Sequence, residues 1–105
     1  MSKLEDTLAS QIKMAGLAEP IREFTAIPGR KYRFDFAWPN HLLLCEVQGG
    51  TWGQGAHSSG AGISRDCEKT ILAQQLGYKV FPVTSEQIRQ GQALRWLQAA
   101  LQEAG

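Results

Sequence analysis

The chain has no apolar run near the roughly 18 residues that a membrane-spanning helix needs. Its densest stretch, Leu42 to Cys45, is only long enough for a strand. The first residues, Met-Ser-Lys-Leu-Glu-Asp, lack the apolar core of a secretion signal. Cysteine is scarce: Cys45 and Cys67 stand alone without a CxxC spacing, which excludes a disulfide scaffold and a cysteine-rich zinc site. Charge of one sign is lacking too. Eleven basic residues face ten acidic ones for a net +1, so the chain is not a strongly basic domain. No GxxxxGKS/T, HExxH, GxGxxG or GxSxG string occurs, which argues against P-loop, zincin, dinucleotide-binding and α/β-hydrolase chemistry. These absences together predict a cytoplasmic protein with no membrane role.

What is present fits one globular domain over 1–105, with 43 % apolar and 20 % charged residues. Ser2-Lys3-Leu4-Glu5 reads as a capping box opening a helix whose apolar stripe is Leu4, Leu8, Ile12 and Ala15, ended by Gly16. Pro20 separates it from a first strand over 22–27, and Pro28-Gly29 forms a turn. Residues 32–38 alternate: Tyr32, Phe34, Phe36 and Trp38 point one way, and Arg33, Asp35 and Ala37 the other. After the Pro39-Asn40 turn, residues 41–48 form a third strand antiparallel to the second. Residues 49–63 hold six glycines and no periodicity, a long loop of the kind that tends to be functional. A helix over 64–76 is capped by Ser64 and stopped by Gly77. A strand over 79–83, a helical turn from Thr84-Ser85 to Gly91, and a final helix with Ala93, Trp96, Leu97, Ala100 and Leu101 inward complete the chain. The predicted fold is α/β, a mixed four-stranded sheet flanked by helices in the order α-β-β-β-α-β-α.

That arrangement gathers charge at one place. Pairing Trp38 with His41 sets Asp35 opposite Leu44 and Arg33 opposite Glu46, so Asp35 and Glu46 become diagonal neighbours on one face. Gln48 projects from the same face. A four-residue connection preserves this parity, whereas an odd-length loop or a bulge breaks it. Two carboxylates beside a glycine-rich loop suit a hard divalent cation, which takes one or two carboxylates and completes its shell with water and substrate phosphate. Such an ion serves phosphodiester hydrolysis.

The combination Arg33-Phe34-Asp35-Phe36, Glu46-Val47-Gln48-Gly49-Gly50-Thr51-Trp52, Gly55-Ala56-His57 and Asp66-Cys67-Glu68-Lys69 resembles the PD-(D/E)XK nuclease superfamily. It looks especially like small phage and bacterial endonucleases, distantly related to very-short-patch repair endonucleases. The resemblance spans nearly the whole chain and implies a restriction-endonuclease-like core and a Mg²⁺- or Mn²⁺-dependent DNA endonuclease. It assigns Asp35 and Glu46 as metal ligands, with the Val47 carbonyl as a further one. Gln48 departs from the pattern, standing where the superfamily has lysine. An amide orients water but supplies no positive charge. Lys69, on the same helix face as Leu72, Ala73 and Leu76, is the expected substitute. Glu5 is expected to support the metal or its water, and His57 to act on the leaving oxygen or a phosphate. Arg30, Lys31, Arg33, Arg65, Trp52 and His57 are the expected DNA contacts.

Structural roles compete at each position. Asp35 in isolation reads as a surface aspartate paired with Arg33 or Lys31, and Glu46 as a partner of Arg33. Glu5 has its capping box, Lys69 a solvated helix face, Trp52 the edge of the core, Asp66 a favourable place near a helix dipole, and Cys45 and Cys67 read as small core-filling residues. A chain without a separate recognition domain points to nicking or to branched DNA and junctions, as a monomer or a homodimer. The alternative is a non-catalytic DNA-binding module that kept the fold and lost turnover.

Overall fold

A computed structural model of the protein describes residues 3–48 and 60–102. The elements run α1 (Lys3–Met14), β1 (Ile21–Phe24), β2 (Phe34–Trp38), β3 (Leu43–Gln48), α2 (Gly60–Gln75), β4 (Lys79–Thr84), α3 (Ser85–Arg89) and α4 (Gln92–Gln102). The strands form one mixed sheet in the order β1-β2-β3-β4. The first three are antiparallel in succession, and β4 is parallel to β3. This is the expected α/β architecture, with α2 as the crossover that a parallel return requires.

Two cores lie on the two faces of the sheet. On one face α1, α3 and α4 bury Leu8, Ile12, Ile88, Ala93 and Leu97 against Phe36, Trp38, Leu43, Cys45 and Val83. On the other, α2 contributes Ala73 to a smaller cluster with Ile27, Phe34, Ala37 and Leu44. Local chemistry sets the ends. Gly16 and Gly77, with φ of 73° and 98°, take the left-handed conformation that closes α1 and α2. Thr84 and Gln87 form a reciprocal capping box that starts α3.

Several details differ from the sequence reading. The first strand ends at Phe24, and Ile27 turns into the α2-side core instead. Helix α2 begins at Gly60, four residues before Ser64, so part of the glycine-rich stretch is helical. Ala15 is exposed, as is Trp96, which lies at the border of the α4 apolar stripe. Cys67 is exposed whereas Cys45 is buried. Pro39–His41 form a 3₁₀ turn and Leu42 takes φ 50°, so Trp38 pairs with Leu43 rather than His41. The connection is thus four residues long and the parity survives.

The aromatic row does not share one face. Phe36 and Trp38 pack with α1 and α4, but Phe34 packs with Ala37 on the α2 side. Alternation breaks around Asp35. The break crosses to β1, where Glu23 lies between the partners of Phe36 and Phe34 and has φ of 51°, a costly conformation for a non-glycine residue. Arg22 faces Phe36 while Phe24 joins the α2-side cluster.

Candidate active site at the β2–β3 fork

The regular pairing of β2 with β3 ends at Phe36–Cys45. Extending that register by one residue sets Asp35 directly opposite Glu46, not opposite Leu44. Here side chains replace the ladder. The Val47 N–H donates to Asp35 Oδ2 at 2.7 Å, and the Asp35 N–H donates to Glu46 Oε1 at 3.3 Å. Each carboxylate therefore accepts from the other strand's backbone, and two acids that would repel are held side by side. The 2.7 Å bond has the short length of a charge-assisted one, stronger than a neutral rung of the ladder.

Helix α2 brings the positive charge. Lys69 Nζ donates to Glu46 Oε2 at 2.5 Å and lies 4.6 Å from the centroid of the Phe34 ring. Its stem runs along the α2-side core while its ammonium reaches the sheet, as its helix face predicts. Both partners are shielded, with side chains 15 % and 18 % exposed, so this ion pair is stronger than a surface one. Burial raises the Glu46 carboxyl above the ordinary carboxylate range. Lys69 acts in the opposite direction, and the charge of Asp35 adds to the rise. Beneath the pair, burial pushes the Cys45 thiol up, so it packs as an apolar group and titrates far above neutrality.

Helix α1 brings Glu5. Burial and then the negative charge of Asp35 raise its carboxyl, with Arg22 opposing the rise. Arg22 Nη2 lies 3.7 Å from Glu5 Oε1 and 3.7 Å from Asp6 Oδ1. Ser2, the expected cap of this helix, lies outside the described residues. Glu5 is thus linked to the first strand and senses the site. Among the described residues no three His, Cys, Asp or Glu side chains form a metal-holding cluster, and the donors that could hold an ion here are the carboxylates of Asp35 and Glu46. That set fits magnesium, which keeps several waters and needs only one or two carboxylates. Two adjoining acids with a raised carboxyl also fit a cation that relieves their repulsion.

Other expected residues fall in three groups. Gln48 ends β3 and is exposed. Arg33 pairs with Glu23 at 3.2 Å, and Arg30 with Glu68 of α2, so neither is the partner of Asp35 or Glu46. Lys31 and Arg65 are exposed, and so is Asp66. Trp52 and His57 lie outside the described residues. Sequence reasoning missed Arg22, although its place in a strand two residues after Pro20, with acids available on the preceding helix, was a usable signal.

The protein's fold is an α/β sheet with helices on both faces, and its paired acids lie where the two central strands part. Its fold matches that of the catalytic domain of the homing endonuclease I-Bth0305I with a TM-score of 0.69, covering 95 % of this chain and 94 % of that one at 13 % sequence identity. No protein-family model matches the chain. It is 31 % identical over 61 residues to uncharacterized proteins of Mycobacterium tuberculosis strains CDC 1551 / Oshkosh and H37Rv. The matched segment is 58 % of this chain and 21 % of those proteins, so the chain spans about a fifth of their length. Among the described residues no helix is long and apolar enough to cross a membrane.

Proposed function

We propose that the protein is a Mg²⁺- or Mn²⁺-dependent DNA endonuclease of the PD-(D/E)XK kind, which hydrolyses phosphodiester bonds by nicking or by acting on branched DNA. The observation that carries this reading is the reciprocal Asp35–Glu46 fork with Lys69 on Glu46. The likeness in fold to a homing-endonuclease catalytic domain supports it. A divalent cation, when bound, neutralises phosphate charge and polarises the phosphoryl group.

The protein's residues do the rest. Asp35 and Glu46 hold the ion, and the Val47 carbonyl is offered as a further ligand. Lys69 presents positive charge beside Glu46, where it stabilises charge that develops on the phosphate and helps to position the attacking water. Gln48 contributes an amide that orients water and cannot take up its proton. Glu5 supports the site from α1, and His57 acts on the leaving oxygen. Lys31 and Arg65 contact phosphates directly. Arg30 and Arg33 do so after exchanging their carboxylate partners for phosphate, and Trp52 stacks or wedges. The reading is of a cytoplasmic protein that acts as a monomer or, across a junction, as a homodimer.

The second reading is a DNA-binding module without turnover, favoured by Gln48 at the lysine position and by the engagement of Lys69 with Glu46. Relaxation of supercoiled plasmid separates the two. Nicking with Mg²⁺ or Mn²⁺ that EDTA, Asp35→Ala and Glu46→Ala each abolish supports the enzyme. Salt-sensitive DNA binding with no cleavage under either metal supports the module.

A further inference from the structure

The α1 side of the site has a component that neither the paired acids nor Lys69 accounts for. Arg22 stands on β1 with its guanidinium carbon 4.8 Å from the Phe36 ring centroid, and Phe36 directly follows Asp35. The same guanidinium lies 3.7 Å from Glu5 and 3.7 Å from Asp6. It therefore ties the first turn of α1 to the strand that flanks β2. A guanidinium over an aromatic face is fixed in direction as well as charge, which an ammonium is not. Arg22 is mostly shielded, with 29 % of its side chain exposed, and Glu5 is more so at 18 %, whereas Asp6 is 61 % exposed. Glu5, the better-held partner, feels the negative charge of Asp35.

We propose that Arg22 is a positioning residue: seated on Phe36, it aims the Glu5 carboxylate at the Asp35 side of the fork, where Glu5 gives outer support to a bound divalent cation. This rests on the metal-dependent reading above. The proposal makes a prediction against simple electrostatics. A cation near a metal site opposes metal binding, so a bystander Arg22 would tighten the site when removed. A positioning Arg22 would weaken it, because outer partners of metal sites typically contribute 10- to 100-fold in affinity.

The experiment is Mn²⁺ titration by calorimetry on the DNA-free protein, with circular dichroism as the check on folding. Glu5→Gln and Arg22→Met should each weaken Mn²⁺ binding about tenfold, and the double variant should lose no more than either alone, as coupled residues do. Arg22→Lys, which keeps the charge and most of the stem, should recover part of the loss, and Asp6→Asn should bind as the wild type does. Unchanged or tighter binding by both Arg22 variants overturns the proposal, as does full additivity in the double variant. Asp35→Asn serves to separate the premises. If it leaves Mn²⁺ affinity intact, the metal site itself falls and the role of Arg22 with it. If it abolishes binding while Arg22→Met does not weaken it, only the positioning role falls.

Discussion

The two faces of the sheet are built differently. Among the described residues, the face covered by α1, α3 and α4 buries ten apolar residues in one cluster, while the face under α2 buries five, one of them the single buried residue of that helix. The larger core provides stability. The thinner one admits a charged lysine, because fewer apolar neighbours compete for the space between α2 and the fork. Both layers bring charge toward the same pair of acids: Lys69 of the thin side bonds Glu46, and Glu5 of the thick side feels the charge of Asp35, where the pairing of β2 with β3 ends. A continuous sheet would have kept them apart. The opening of the ladder turns a two-layer packing problem into one shared site.

This division can be broken on either side. The largest effect belongs to the thin face. Lys69→Met should cut metal-dependent DNA cleavage a hundredfold or more, the usual scale for removing a group that assists proton transfer or charge stabilisation. Single-turnover cleavage assays would show it, and a loss of only a few fold would make Lys69 a structural partner of Glu46.

On the thick face, Leu97→Ala should cost about 2–5 kcal/mol in chemical denaturation, because Leu97 is fully buried in the larger core. The matching truncation under α2, Leu72→Ala, should cost clearly less, since Leu72 is only partly buried. Equal losses would show that the two cores share the load.

The smallest effect sharpens the electrostatics of the fork. Burial raises the Glu46 carboxyl in the folded protein, so the folded state holds that proton more tightly than the unfolded chain. Its contribution to stability is therefore present below the ordinary carboxylate range and is lost as pH rises through the raised value. The stability of Glu46→Gln relative to wild type should shift in favour of the variant as pH climbs from about 4.5, the ordinary glutamate value, to neutrality. Thermal melts across that range would test it. A difference independent of pH, or one that moves the other way, would show that Lys69 outweighs burial.

Much of this was legible in the sequence. Helical spacing in α1 and α4, the Gly16 and Gly77 stops, and alternation through Phe36 to Trp38 rest on local periodicity, and local periodicity survives folding. That Asp35 and Glu46 share a face followed from parity, which depends only on whether the connection between two strands is odd or even. The exact register did not follow. It hinged on Leu42 adopting a left-handed backbone after the 3₁₀ turn, a choice that no propensity of leucine favours. The reversal of Phe34 was equally hidden. It comes from a break in β1 and β2 around Glu23 and Asp35, where tertiary pairing overrides the period-two rule. Lys69 was singled out by the superfamily resemblance together with its helix face, and the structure adds its contact with Glu46. The pairing of Arg22 with Glu5 joins two elements whose angle no local rule supplies.

The most direct test is crystallographic. Crystals of the wild-type protein soaked in manganese should show an anomalous difference peak bonded to both Asp35 and Glu46, and the same soak of Asp35→Asn should show none at that place. A wild-type peak held by only one of these acids, or no peak between them at saturating manganese, would contradict the account.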